Sequence, residues 1–171
     1  MSHLSSVGHL TRDRAFCILV CMHLIVALVA LLLIGCSTGP GIGVKENQTA
    51  TICIGPGVDA EAVQDAAEAW NVASDGRVNL TLVMGTECDT VIVSETPREN
   101  ACGETLLDGS KIKINPDYCG HGVMSRRVNT IAHELGHFLT GPDHSTDQDD
   151  VMWHASSDVI MPTAADVGRL P

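Results

Sequence analysis

His133 and His137 stand four residues apart in the stretch HELGH, with Glu134 between them. On a helix that spacing puts both imidazoles on one face, close enough to share a metal ion, with a carboxylate beside them. The chemistry such a set supports is metal-assisted hydrolysis. Two neutral imidazoles hold zinc, and Glu134 takes a proton from a water that the ion activates. A catalytic zinc keeps three protein ligands and one open position, so a third donor is needed. No glutamate follows Glu134 anywhere in the chain, which excludes a third ligand of that type from a later helix. Gly141, Pro142, Asp143 and His144 follow instead. Glycine suits the left-handed backbone that ends a helix and proline blocks its continuation, so the chain is expected to turn back here toward the metal. His144 is the favoured third ligand because imidazole is a usual zinc donor, and Asp143 is the alternative.

The elements around this set follow from periodicity. From Val123, VMSRRVNTIAHELGHFLT places Val128, Ile131, Ala132, Leu135, Phe138 and Leu139 on one stripe and leaves both histidines off it, so they face a cleft. VDAEAVQDAAEAWNVASDG spaces Val63, Ala66, Ala67, Trp70 and Ala73 helically, with Asp59 as N-cap, Gly76 near the stop and Trp70 as a core anchor. ATICIG, RVNLTLVM, DTVIVSE and KIKINP read as strands, and TPRENACGETLLDGS between the last two as a loop. There are no internal repeats.

The first 36 of the 171 residues differ from the rest. Arg12 and Arg14 precede the uncharged run CILVCMHLIVALVALLLIG, which ends at Cys36. This is the pattern of a targeting segment, and LIGC resembles a bacterial lipobox, whose processing would leave a lipid on Cys36. The run is also near the ~20 residues that span a bilayer, so an uncleaved anchor is the competing reading. Both hold the domain outside the cytoplasm at the cell membrane. The expected organisation is a lipoprotein signal peptide over 1–35, a lipidated cysteine and flexible tether over 36–49, and a folded domain over 50–171.

Ten Lys or Arg against 21 Asp or Glu give a formal net charge of −11, and no basic footprint for nucleic acid is present. Of the seven cysteines, Cys17 and Cys21 leave with the signal and Cys36 carries lipid. Cys53, Cys88, Cys102 and Cys119 remain, and in an oxidising compartment four cysteines suggest two disulfides in one of three pairings. Their spacing contains no close pair of the kind that structural zinc uses.

The zinc-binding stretch resembles the metzincins, whose pattern is H-E-x-x-H-x-x-G-x-x-H followed by a Met-turn. The matrixin branch is the most similar. VNTIAHELGH resembles the start of its zinc helix, HSTDQDDVM places Met152 eight residues after His144 as the Met-turn methionine, and AADVGRL and AEAVQDAAEAW resemble its closing and first helices. Thr140 stands where the family has its glycine, and Gly141 and His144 each come one place late. One inserted residue reconciles the two; without it Asp143 takes the ligand position, as in the Asp-using snapalysins. Trp153 stands where matrixins often carry a tyrosine, Met161 competes with Met152, and His121 and His154 are spare histidines.

The resemblance implies an α+β fold: a small mixed β-sheet with an N-terminal helix, a central zinc-binding helix and a C-terminal helix. It implies a monomeric zinc metalloendopeptidase with Glu134 as catalytic base and His133, His137 and His144 on the metal. Protein or peptide substrates would add to an edge strand, DTVIVSE being the candidate. Asp143, if not a ligand, would orient one. No cysteine-switch segment stands before the domain, and STDQDD reads as a solvated loop. The rival function is a catalytically inactive lipoprotein that uses structural zinc to hold an envelope partner. A small-molecule metallohydrolase would need a closed pocket.

Overall fold

The computed structural model describes residues 48–117, 123–155 and 157–171. The apolar N-terminal run, Cys36, Cys119 and His121 lie outside the described residues. The chain folds as a five-stranded sheet with helices packed against it. The strands are β1 (Gln48–Ile54), β2 (Val78–Met84), β3 (Thr90–Ser94), β4 (Gly103–Thr105) and β5 (Lys111–Ile114). The helices are α1 (Ala60–Ala73), α2 (Met124–Thr140) and the short α3 (Ala164–Val167). Among the described residues no helix is long and apolar enough to cross a membrane.

The sheet order is β2-β1-β3-β5-β4. The first three pairings are parallel and only β4 runs antiparallel, against β5. Parallel neighbours need a crossover, which α1 supplies between β1 and β2. β1 begins at Gln48, inside the stretch read as tether, because Gln48 and Thr49 pair with Val78 and Asn79. Ile52, Ile92 and Ile112 come from three adjacent strands and are fully buried in the core. A disulfide joins Cys53 at the end of β1 to Cys88 in the turn before β3, closing a loop across 35 residues. By loop entropy such a link stabilises the fold by about 4 kcal/mol. Cys102 is also disulfide-bonded.

Asp59 caps α1 through the Ala62 amide at 3.3 Å, and the helix ends at Ala73, with Ser74 as C-cap. Val63, Ala66, Ala67 and Trp70 of the predicted stripe are buried, whereas Ala73 at the helix end is only half-buried. Trp70 also donates its indole N–H to the Ala132 carbonyl of α2 at 2.8 Å, fixing the two helices in register. On α2 every residue of the predicted apolar stripe is buried.

Two expectations fail. DTVIVSE is interior to the sheet, paired with β1 on one side and β5 on the other, so it offers no edge. The edge beyond β5 is β4, which lies within the segment read as a loop. Three residues of the sequence G-E-T carry too little alternation to declare a strand, and pairing to β5 makes one of them.

Candidate metal centre

Helix α2 supplies His133, Glu134 and His137 from consecutive turns. Gly141 then ends the helix with φ 96°, a left-handed conformation that favours glycine, and its amide donates to the His137 carbonyl at 3.0 Å. Ser145 pins the returning chain: its amide donates to the Met152 carbonyl at 2.7 Å, and Ser145 and Trp153 form a bridge. The reversal carries His144 back over the helix. One ligand atom each of His133, His137 and His144 lie within 4.8 Å of one another. The ring centroids are 4.7 Å (His133 and His137), 4.8 Å (His137 and His144) and 5.2 Å (His133 and His144) apart. Asp143 is exposed and outside this group; its backbone carbonyl faces Arg169.

The hydrogen bonds of the imidazoles suit metal binding. His133 Nδ1 lies 2.8 Å from the Val151 carbonyl oxygen and His137 Nδ1 lies 2.9 Å from that of Gly141. A carbonyl only accepts, so each Nδ1 carries the hydrogen and each Nε2 keeps its lone pair for a cation. Burial, reinforced by the neighbouring His137, pushes the His133 pKa down to about 4. Burial also lowers those of His137 and, with His154 and Arg169 adding to it, His144. Neutral imidazole is the ligand form, and three imidazoles with room for a fourth donor fit zinc.

Glu134 is 5% exposed, and its burial lifts the carboxyl pKa to about 7 against hydrogen bonds from Thr105. A carboxyl poised near neutrality both takes and returns a proton at working pH. It sits in a cleft of about 530 Å³ that the three histidines also line. One wall is Gly103, Glu104 and Thr105 of β4; the other includes Trp153 and His154. His154 lies against Trp153 with ring centroids 4.0 Å apart and planes tilted by 55°, and its ring stands 6.5 Å from that of His144, outside the three-residue group.

Met152 is fully buried, whereas Met161 is 47% exposed. A Cβ on Gly136 would lie 2.1 Å from Met152 Sδ and 2.9 Å from Trp70 Cζ2, so only glycine lets the methionine and tryptophan pack beneath the histidine face. Asp166 of α3 holds the Met152 turn in place, accepting from the amides of Val151 (3.0 Å), Met152 (3.2 Å) and Thr163 (2.9 Å). STDQDD is not wholly a solvated loop, because Asp150 is buried and accepts from the hydroxyls of Ser145 and Thr163. Sequence reasoning did not single out Gly103, Thr105, Asp150 or Asp166 as parts of the site. Asp166 alone leaves a local trace, three residues after Thr163 at the start of a short helix.

The sheet, the two long helices and the converging imidazoles define a metzincin-like fold. The archaemetzincin of Methanopyrus kandleri superposes with a TM-score of 0.50 at 16% identity, over 77% of this chain and 95% of its own. Myroilysin superposes with a TM-score of 0.52 at 12% identity, over 74% of this chain and 80% of its own. High choriolytic enzyme 1 of Oryzias latipes, a hatching enzyme zinc-protease, matches at 21% identity over 64% of this chain and 52% of its own, with a TM-score of 0.39. By sequence, the chain matches no protein-family model and no curated protein.

Proposed function

We propose that the chain is a zinc-dependent endopeptidase, with His133, His137 and His144 as metal ligands and Glu134 as the catalytic base. The observation that carries this reading is the meeting of three imidazoles and one buried carboxylate in a single open cleft. In that cleft a bound zinc ion supplies a Lewis acid that acidifies water and polarises a carbonyl group. Glu134 takes the proton of the attacking water and passes it to the leaving amine as the peptide bond breaks. The carbonyls of Val151 and Gly141 hold the two helix-borne imidazoles in the tautomer that offers Nε2. Met152 packs under them as the Met-turn methionine. Among the described residues β4 pairs only with β5, so an extended peptide has a backbone edge to join beside the carboxylate.

The location belongs to the same proposal. Residues 1–35 are a signal peptide, Cys36 carries lipid, and the stretch between Cys36 and the start of β1 is the tether that holds the domain outside the cytoplasmic membrane. The support is LIGC after an apolar run with two arginines before it. Cells fed labelled palmitate should label the protein, and Cys36→Ser should abolish the label.

The full-length chain loaded with zinc should cleave an unstructured protein such as casein. Glu134→Gln should lower the rate by roughly 1,000-fold while the metal is retained. A wild-type protein that binds zinc and cleaves nothing across a broad peptide library would transfer the assignment to a binding role.

A further inference from the structure

Strand β4 touches the centre of the chemistry through two residues on one face. Gly103 and Thr105 are two apart, so they point to the same side of the sheet, and that side meets Glu134. Thr105 Oγ1 lies 2.8 Å from Glu134 Oε2 and 2.8 Å from the Glu134 backbone carbonyl oxygen. At Gly103 the fit is closer still. A Cβ there would stand 2.5 Å from Glu134 Cγ and 2.6 Å from Oε1, nearer than real Cβ atoms approach. The carboxylate is thus moulded onto the strand, with Oε2 held by a hydroxyl and Oε1 lying against a residue without a side chain.

We propose that Thr105 and Gly103 are positioning residues for Glu134, so that the edge strand aims the group that moves the proton. The hydroxyl has one hydrogen and two acceptors on the same residue. While Glu134 is a carboxylate, Thr105 donates to Oε2 and leaves Oε1 for the proton of water. When the carboxyl bears the proton, the hydroxyl turns its hydrogen to the backbone carbonyl and the side chain stays where it was. A carboxyl anchored at one oxygen keeps its aim through both halves of the transfer.

Register makes the arrangement specific. Glu104, between the two, faces the other way and forms an ion pair with its cross-strand partner Lys113 at 3.2 Å, with Arg98 on the same carboxylate. Burial works against its charge, yet the hydrogen bonds from Arg98 and Lys113 hold its carboxyl below the ordinary range. A slip of one residue would exchange the faces and set the Glu104 carboxylate against Glu134. The pair with Lys113 therefore favours the register that turns Gly103 and Thr105 toward the base.

The kinetic test rests on the hydrolytic reading above, and a second test does not. In the zinc-loaded full-length chain, Thr105→Val should lower kcat by roughly 10- to 100-fold, the loss of a hydrogen bond to a charged group, with KM and zinc affinity unchanged. Thr105→Ser should restore most of the rate, and Gly103→Ala should reduce kcat by displacing the carboxylate. A Thr105→Val enzyme with wild-type kcat, a change in KM alone, or a serine variant as slow as valine would overturn the proposal. Should the wild type cleave nothing, the hydrolytic reading fails and the geometry is judged by urea unfolding of the metal-stripped chain. There the midpoint shifts of Thr105→Val and Glu134→Ala should be non-additive in the double variant. Additive shifts would overturn it.

Discussion

The cleft has two walls built by opposite means. Helix α2 is 17 residues long, buries its own apolar stripe and presents both histidines from consecutive turns. Strand β4 is three residues long, has no buried residue and exists because β5 lies beside it. Both walls hold Glu134, one by its backbone and the other by its carboxylate. The helix fixes which residues meet and the strand fixes how one of them points. A long local element can specify positions, whereas orientation comes from a short element brought in by the rest of the sheet.

The largest test of this division lies at the bend that completes the helix wall. His144→Ala should weaken zinc binding by more than about 100-fold, beyond the effect of losing a group that merely orients a ligand, and Asp143→Ala should change it only a few-fold. Competition with a fluorescent zinc chelator measures both. The reverse order would give the third ligand to Asp143 and the shorter register of the motif.

A smaller effect separates the carboxylate from the ligands in metal-stripped protein. Burial raises the folded pKa of Glu134 from 4.5 to about 7, so below 4.5 the group is neutral in both states and above 7 the folded chain bears a buried charge. Its contribution therefore falls as pH rises through that window. His133, with its folded pKa lowered to about 4, has the opposite sense: its stability is present above 6.5 and lost as pH falls. The histidine term is common to wild type and Glu134→Gln and cancels in their difference. Between pH 4 and pH 8 the glutamine variant should gain about 3 kcal/mol on wild type in urea unfolding. A pH-independent difference would mean that the carboxylate is solvated and the β4 wall is not closed on it.

The smallest effect concerns packing beneath the helix wall. Gly136→Ala places a Cβ against Met152 Sδ and Trp70. Overpacking of about 2 kcal/mol outweighs the ~1 kcal/mol that alanine returns in helix propensity, a net loss of about 1 kcal/mol by thermal or urea unfolding. A stabilised variant would show that the methionine does not sit under the histidines.

The same contrast explains what was legible. His133, Glu134 and His137, the stripe through Leu139, the cap at Asp59 and the stop at Gly141 all follow from spacing within one element, and the sequence displays spacing. The one-place delay after the helix left His144 and Asp143 both open in the sequence, and it is the turn at Gly141 in the fold that brings His144 to the other two imidazoles. Thr105 and Gly103 were not readable, since their meaning is a meeting with Glu134, which lies 29 residues beyond Thr105. DTVIVSE misled for a related reason: β-branched residues declare a strand but not its neighbours, and β5 and β4 cover the side that seemed free. Asp150 and Asp166 look like surface acids and are buried because amides and hydroxyls converge on them.

The position a zinc ion takes decides most directly whether this cleft is a hydrolytic metal centre. Crystals of the zinc-loaded full-length chain, measured at the zinc absorption edge, should show one anomalous peak about 2.0–2.1 Å from Nε2 of His133, His137 and His144, with the fourth position open to the cleft beside Glu134. A peak that misses any of the three imidazoles, or one whose fourth position is filled by His154 or Asp143, would contradict it.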